Sequence, residues 1–377
     1  MRRKKFWFIL LALAVVYGVW LGFHILQFEF YTLPESASLP EESPEIKGVY
    51  HLHTKLSDGY KKPGQIARLA SKASMDFIIL TDHGNPNYGC LESEGWKEGV
   101  LVLAGSELSV NRGHLVGLGF DLPLTPLSRK AEEATYHLNS LGGFAIIAHP
   151  YSKTSWSWGE FIDYSGMEII NGDTMLRKKF YTWIPYLPAL LIKPRLFLLR
   201  TLNPPLENLS KWDRLNQIHP LYGYYSSDAH ILYGPLLSFV SLHIPLQKPL
   251  SSEFREARAQ VYKSLKRGAF YNVVEAAAEA RGFRFWAQKG EERQRMGSTL
   301  FFSSSPVKLK IHAPFPFKQE THLIHNGETV LKSEKNKVVF PAEQPGVYRV
   351  EVYLKEPTPM GERIPWILSN PIFLTKD

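Results

Sequence analysis

The side chains able to do chemistry in this 377-residue chain are histidines and carboxylates that recur through its first two thirds. His51-Leu52-His53 opens the series, and Asp58 follows in Ser57-Asp58-Gly59. Residues at i and i+2 of a strand share a face, so both imidazoles of the pair can reach one ion. Thr81-Asp82-His83, Glu107, Arg112-Gly113-His114-Leu115, Ala148-His149-Pro150 and Ser227-Asp228-Ala229-His230 complete the set. The single cysteine, Cys90, allows neither an internal disulfide nor a thiolate cluster, so a metal has to be held by His, Asp and Glu. Nine metal-competent side chains at the ends of apolar runs would each be an unpaired polar group at the mouth of a core unless they share a ligand. Mixed imidazole and carboxylate ligation suits Zn²⁺ and Mn²⁺.

Elements that would position these residues follow from the hydrophobic pattern. Gly48 to His53, Phe77 to Leu80, Val100 to Ala104, Phe144 to Ala148, Met167 to Ile170 and Leu221 to Ser226 read as short buried strands. Pro63 to Met75 and Ser128 to Leu141 read as amphipathic helices between them, and Ser251 to Arg267 and Val273 to Arg281 as closing helices. Such alternation predicts a parallel α/β sheet or barrel, with the chemistry at the C-terminal ends of the strands. Beyond about Gly282 the pattern turns all-β: Val307, Leu309 and Ile311 alternate with polar residues, and Asn326-Gly327 is a hairpin signal. Gly346 to Leu354 reads as a strand with one wet face, and the whole of 282–377 as a small antiparallel β-sandwich of immunoglobulin-like type.

The order HxH, Asp-Gly, Thr-Asp-His, Glu, His, Ala-His-Pro and Ser-Asp-Ala-His resembles the polymerase-and-histidinol-phosphatase (PHP) superfamily over roughly Lys47 to Arg281. The resemblance implies a distorted seven-stranded β/α barrel at 47–281, with an insertion near 174–215, and a centre of three divalent metals (Zn, Mn or Fe). It implies that His51, His53, Glu107 and Asp228 hold one metal. Glu107 would bridge to a second, held also by His114 and His149, while Asp58, His83 and His230 would hold a third. The stretches Gly346-Val347-Tyr348-Arg349 and Trp366-Ile367-Leu368-Ser369-Asn370-Pro371 are similar to the tail of extracytoplasmic members of that group. The implied activity is phosphoester hydrolysis, with Glu107 and Asp228 central to catalysis. Asp82 orients a ligand or caps its strand. Arg112, Tyr151, Lys153 and Asn171 neighbour ligand positions and are candidates to touch phosphate. His137, His219, His243, His312, His322 and His325 fit no ligand spacing and read as structural.

The N-terminus sets the compartment. Arg2-Arg3-Lys4-Lys5 precede an uncharged run from Phe6 to Gln27, about the 20 residues a bilayer-spanning helix needs and longer than a cleaved signal's core. This reads as a transmembrane anchor over 1–28 followed by a Pro-rich linker over 29–46, with the rest of the chain extracytoplasmic by the positive-inside rule. The net charge of +8 arises from the basic tail and from 174–201, which holds six basic residues and no acid. The remainder is slightly acidic, which argues against nucleic acid as a partner. The 174–201 segment also carries Tyr181, Trp183 and Tyr186 with Pro185, Pro188 and Pro194, too broken for a second span. It reads either as a segment lying on anionic lipid and guiding a lipid-linked phosphate, or as a lid. A phosphorylated small molecule is the other substrate class. Alternatives at the level of function are metal-dependent ester or carbamate hydrolysis and a non-catalytic metal-binding adhesion module.

Overall fold

The computed structural model describes residues 2–34, 44–123, 125–152, 156–160, 163–178, 180–302, 306–356, 358–361 and 363–376. Residues 35–43 of the linker and Lys153 lie outside these residues. Strands β1 (Glu45–Leu52), β2 (Phe77–Leu80) and β3 (Val100–Ala104) pair in parallel in that order. Nearly every residue of β2 and β3 is apolar and buried, as parallel strands covered on both faces require. The helix Pro63–Lys72 crosses from β1 to β2, starts on proline and buries Ile66, Ala67 and Ala70.

After Gly105 the chain enters a second sheet of β4 (Ser106–Val110), β5 (Gly113–Leu118), β6 (Phe144–Ile147), β7 (Gly166–Asn171) and β8 (Tyr222–Ser226), in sequence order. Pairs β6–β7 and β7–β8 are parallel, but β4–β5 and β5–β6 are antiparallel. The purely parallel expectation fails at this point because Asn111 and Arg112 alone join β4 to β5. Two residues suffice for a hairpin and not for a crossover. The two sheets touch at both margins. Ser227 and Ala229 N–H donate to the carbonyls of Tyr50 and His51, His53 N–H donates to that of Ala229, and His83 bridges Glu107.

On its far side β1 pairs with β9 (Ser241–Pro245), β9 with β10 (Tyr271–Val273), and β10 with the C-terminal strand Ile367–Ser369, all antiparallel. The last strands of the chain thus extend the sheet that begins at β1. Glu45, expected at the end of the linker, opens β1 instead, with its side chain buried beside His243, Tyr271 and Arg284. The helix expected over 273–281 does not form. Val274, Ala276 and Glu279 N–H donate to the carbonyls of Trp366, Phe239 and Tyr31, and these distant partners outweigh the helix propensity of the alanine run.

A separate four-stranded antiparallel sheet joins Glu292–Arg295, Arg284–Lys289, Val307–His312 and Lys337–Ala342. The hairpin Gln319–His325 to Glu328–Ser333 turns at Asn326-Gly327, whose φ values of 51° and 91° are both left-handed. In the strand Gly346–Leu354 the wet face fails to appear. Arg349 is buried, donating to both oxygens of Asp213 at 2.7 and 2.8 Å and to Glu351. The N-terminal helix α1 (Arg2–Gln27) is long and apolar enough to cross a membrane, and most of its surface is exposed.

Candidate metal centre

All nine sequence-predicted ligands converge where the two sheets meet. His51 lies at a bulge in β1, where the register with β2 shifts between Tyr50 and Leu52. Its φ is 67°, so the convergence of His51 and His53 comes from a left-handed residue rather than from plain strand alternation. His149 (φ 28°) and Asp228 (φ 50°) are also left-handed non-glycine residues. Such conformations cost about 1–3 kcal/mol each and persist where the surroundings over-determine them, commonly at functional sites. Glu107 and His114 lie diagonally across the β4–β5 hairpin, where Glu107 pairs with Val116 and His114 with Ser109, and Glu107 Oε1 lies 2.7 Å from His114 Nδ1 and 2.9 Å from His149 Nε2. Its Oε2 lies 3.3, 3.1 and 3.3 Å from nitrogens of His51, His53 and His83.

Three groups of potential ligand atoms form: His51, His53, Glu107 and Asp228; His83, Glu107 and His114; and His53, Asp58, His83 and His230. Within each group the atoms lie within 4.8 Å of one another. Four buried imidazole nitrogens, Nε2 of His51, both of His53 and Nδ1 of His83, have no hydrogen-bond partner although carboxylate oxygens stand close by. A buried polar atom left so costs about 1–3 kcal/mol, and four in one cluster fit a cation at the centre.

Electrostatics say the same. Burial would raise Glu107, yet the imidazoles of His51, His114 and His149 hold it well below the usual carboxylate range. Burial raises Asp228 too, and His51 and His53 override it downward. Burial would lower His51 and His53, but Asp228, Glu168 and Glu107 push His51 well up, and Asp228 and Glu107 bring His53 to about 9. A divalent cation would take the place of protons on these imidazoles when it binds.

Seven of the nine, all but His51 and His53, line a cavity of about 480 Å³. His51 and His53 are fully buried behind it. The rim adds Ser152, Asp173, Thr174, Arg177 and Lys178, the last two bringing positive charge to the mouth. Asp82 is fully buried, and its carboxylate accepts from Thr54 N–H (2.7 Å), Thr54 Oγ1 (2.8 Å) and Ser57 Oγ (2.6 Å), which fixes the loop from His53 to Asp58. Asn171 spends its amide on Glu168 (2.8 Å) and Asp228 (3.0 Å). Arg112 is occupied by Glu132 and the Ser157 carbonyl, and Tyr151 lines an adjoining cavity. Lys153 lies outside the described residues.

Sequence reasoning missed Glu168. It is fully buried in β7, where a bulge lies between Glu168 and Ile170. Its Oε1 takes His51 Nδ1 at 2.6 Å, and its Oε2 takes His149 N–H at 2.8 Å. Only a carboxylate inside the otherwise apolar Met167-Glu168-Ile169-Ile170 run could have flagged it. Arg177 and Lys178 were seen as part of a basic segment, and their place on the rim was not.

No family model matches the sequence. An uncharacterized protein of Methanocaldococcus jannaschii, MJ1587, is 30% identical over 141 residues that cover 33% of this chain and 82% of that protein. The chain belongs to the same family as that protein. More distant likenesses are to solved structures. A two-domain protein of Bacteroides vulgatus, described as containing a predicted PHP-like metal-dependent phosphoesterase, is 14% identical with a TM-score of 0.45, over 92% of this chain and 99% of that one. An amidohydrolase of Chromobacterium violaceum, solved with sulfate and without metal, is 18% identical with a TM-score of 0.33, over 48% and 87%.

Proposed function

We propose that this chain is a metal-dependent phosphoester hydrolase of the PHP type, anchored by α1 with its centre outside the cytoplasm. One observation carries the reading: nine metal-competent side chains meet around buried imidazole nitrogens that have no other partner. The motif order and the strand ring β1–β2–β3/β4–β5–β6–β7–β8, returning to β1 through Ser227 and Ala229, support a distorted seven-stranded barrel. The basic tail before α1 supports the extracytoplasmic side.

His51, His53, Glu107 and Asp228 would hold one cation, Glu107 with His114 and His149 a second, and Asp58, His83 and His230 a third. Divalent cations in such a site lower the pKa of water and neutralise charge on a phosphate. The chain's own contribution is placement. Glu168 fixes the His51 ring through Nδ1 and the His149 backbone through N–H, leaving His51 Nε2 directed at the centre. Asp82 holds the loop that carries Asp58. Arg177, paired to Asp173, and Lys178 supply cationic charge at the mouth, where an anionic ester would enter. Sheet walls exclude water from His51 and His53, which strengthens every charge interaction in the centre.

The test is hydrolysis of a chromogenic phosphomonoester and a phosphodiester by protein reloaded with Mn²⁺ or Zn²⁺, beside Glu107→Ala. Metal-dependent turnover that vanishes in the variant is expected. Metal-loaded protein that cleaves a carboxylic ester and neither phosphate ester would move the reading to carbonyl substrates.

A further inference from the structure

The segment that follows the rim of the metal centre lies between the domain and α1. After Gly172–Arg177 it forms Phe180–Trp183, a 3₁₀ turn Ile184–Tyr186, and the helices Ala189–Ile192 and Pro194–Thr201. Its last helix packs on Tyr233–Leu236 of the domain, while the part before it lies against α1, with contacts that run down that helix in order. The Arg195 guanidinium lies 3.3 Å from the Phe30 ring centroid, just past the helix end. The Tyr186 ring lies 5.5 Å from His24 and 5.0 Å from Trp20. Deepest, Tyr17 Oη donates to the Pro185 carbonyl at 2.7 Å. Tyr17 precedes the end of α1 by ten residues, about 15 Å at 1.5 Å per residue. That is roughly half the hydrocarbon thickness of a bilayer, about 30 Å.

We propose that residues 180–195 form a wedge in the outer leaflet of the bilayer that α1 spans, and that the metal centre takes its phosphate ester from that leaflet. The substrate class is an amphiphile whose anionic phosphate ester lies at the headgroup level. The second half of this proposal rests on the hydrolase reading above; the first does not.

Three observations support the wedge. Leu191 is 90% exposed, Ile192 64%, Leu187 49% and Ile184 48%, an apolar surface that neither the sheets nor α1 covers. Lipid is the occupant argued here, because this surface continues α1 itself and shares its depth. The prolines break the segment into short turns, and irregular backbone survives at membrane depth only where other groups satisfy it. The Tyr17 hydroxyl does this for the Pro185 carbonyl. The charge also suits a headgroup level: Arg195 lies over Phe30 and Arg200 over the Tyr186 ring at 4.6 Å, no acid occurs from 174 to 201, and basic residues there attract anionic headgroups.

The link to the centre is short. Lys178 lines the metal cavity and stands two residues before Phe180, a reach of at most about 7 Å of chain. A neighbouring cavity of about 430 Å³ shares His149, Thr174 and Lys178 with the first, and Met175, Pro205 and Leu206 give it an apolar wall. An ester whose phosphate faces the metals therefore has apolar room for its next carbons in the adjoining cavity, which Lys178 also lines.

The experiment uses the full chain, metal-loaded, in vesicles of phosphatidylcholine and phosphatidylglycerol. Leu187→Cys, Leu191→Cys and, as a control on an exposed helix of the domain, Tyr136→Cys are each labelled with a fluorophore and quenched by lipids carrying a nitroxide on the acyl chain; Cys90 is buried. Quenching at 187 and 191 and not at 136 is expected. In parallel, wild type and the triple variant Leu187→Glu, Leu191→Glu, Ile192→Glu are assayed on phosphatidic acid in the vesicles and on p-nitrophenyl phosphate in solution. Charges are strongly disfavoured in hydrocarbon, so the variant should lose about tenfold or more on the lipid and stay within about twofold on the soluble ester. Unquenched labels at 187 and 191 overturn the wedge. Equal loss on both esters, or no preference of wild type for the lipid, overturns the substrate assignment. Quenching as expected with neither ester cleaved by wild type refutes the hydrolase reading and leaves the wedge standing.

Discussion

Replacing Glu168 by glutamine removes one charge from a fully buried site and keeps its shape. The carboxylate receives three donors: His51 Nδ1–H on Oε1 at 2.6 Å, and His149 N–H and Asn171 Nδ2, both at 2.8 Å, on Oε2. Glutamine cannot satisfy all three. If its oxygen faces His51, its NH₂ meets two donors. If the amide is flipped, its NH₂ faces His51 Nδ1, which must then accept. That tautomer carries its proton on Nε2, the atom that stands 3.3 Å from Glu107 and 3.4 Å from Asp228 and would have to ligate the metal. Loss of such an orienting partner usually costs 10–100-fold in metal affinity, about 1.4–2.8 kcal/mol. Zn²⁺ affinity read by competition with a chromogenic chelator, with circular dichroism to confirm the fold, tests this. A folded Glu168→Gln protein with wild-type affinity would refute the assignment of Glu168 as the group that sets the His51 tautomer.

Asp82→Ala frees Thr54 and Ser57 and loosens the loop carrying Asp58. A Zn²⁺ titration should lose its weakest step by about tenfold while the rest of the isotherm holds. At the opposite end of β1, burial would raise Glu45 and Glu275, but His243, with Arg284 at Glu45 and Lys47 at Glu275, holds both at about 2 instead of 4.5. Their stabilisation is fully present above about pH 4.5 and is lost as pH falls toward 2. His243 is raised by Glu275 and Glu45 against its burial, so its share is present below about pH 6.5 and fades as pH rises. Urea denaturation should therefore show the gap between wild type and Glu275→Gln widest between about pH 4.5 and 6.5 and closing toward pH 2; a gap constant down to pH 2 counts against it. Arg349→Met strands Asp213 and Glu351 as buried charges and should cost about 3–5 kcal/mol in chemical denaturation.

The nine candidate side chains were legible because all but Asp58, which sits in a Ser-Asp-Gly turn, stand close to a short apolar run, so type and order survive without coordinates. Their meeting at one place also matched the reading, but the means did not. His51, His149 and Asp228 reach the centre through left-handed backbone, and φ at such residues is set by neighbours distant in sequence. Glu168 was hidden because its partners, His51 and His149, lie 117 and 19 residues away. Glu45 looked like linker for the same reason, its partner Arg284 being 239 residues on. The 273–281 stretch shows local propensity losing to tertiary hydrogen bonds, and Arg349 shows a polar residue on an alternating strand buried because a helix brings Asp213 to it. Turn chemistry, by contrast, is local, and the Asn326-Gly327 hairpin stood where the sequence placed it.

The central claim is that these nine side chains hold divalent cations, and metal content measures it directly. Protein stripped with chelator, dialysed against buffered Zn²⁺ or Mn²⁺ and analysed by plasma mass spectrometry should carry two to three ions per chain, as three ligand groups, two of them sharing Glu107, imply. Glu107→Ala, which removes the shared carboxylate, should retain at most one. Wild type that binds no ion, or a variant that binds as many as wild type, would contradict the account.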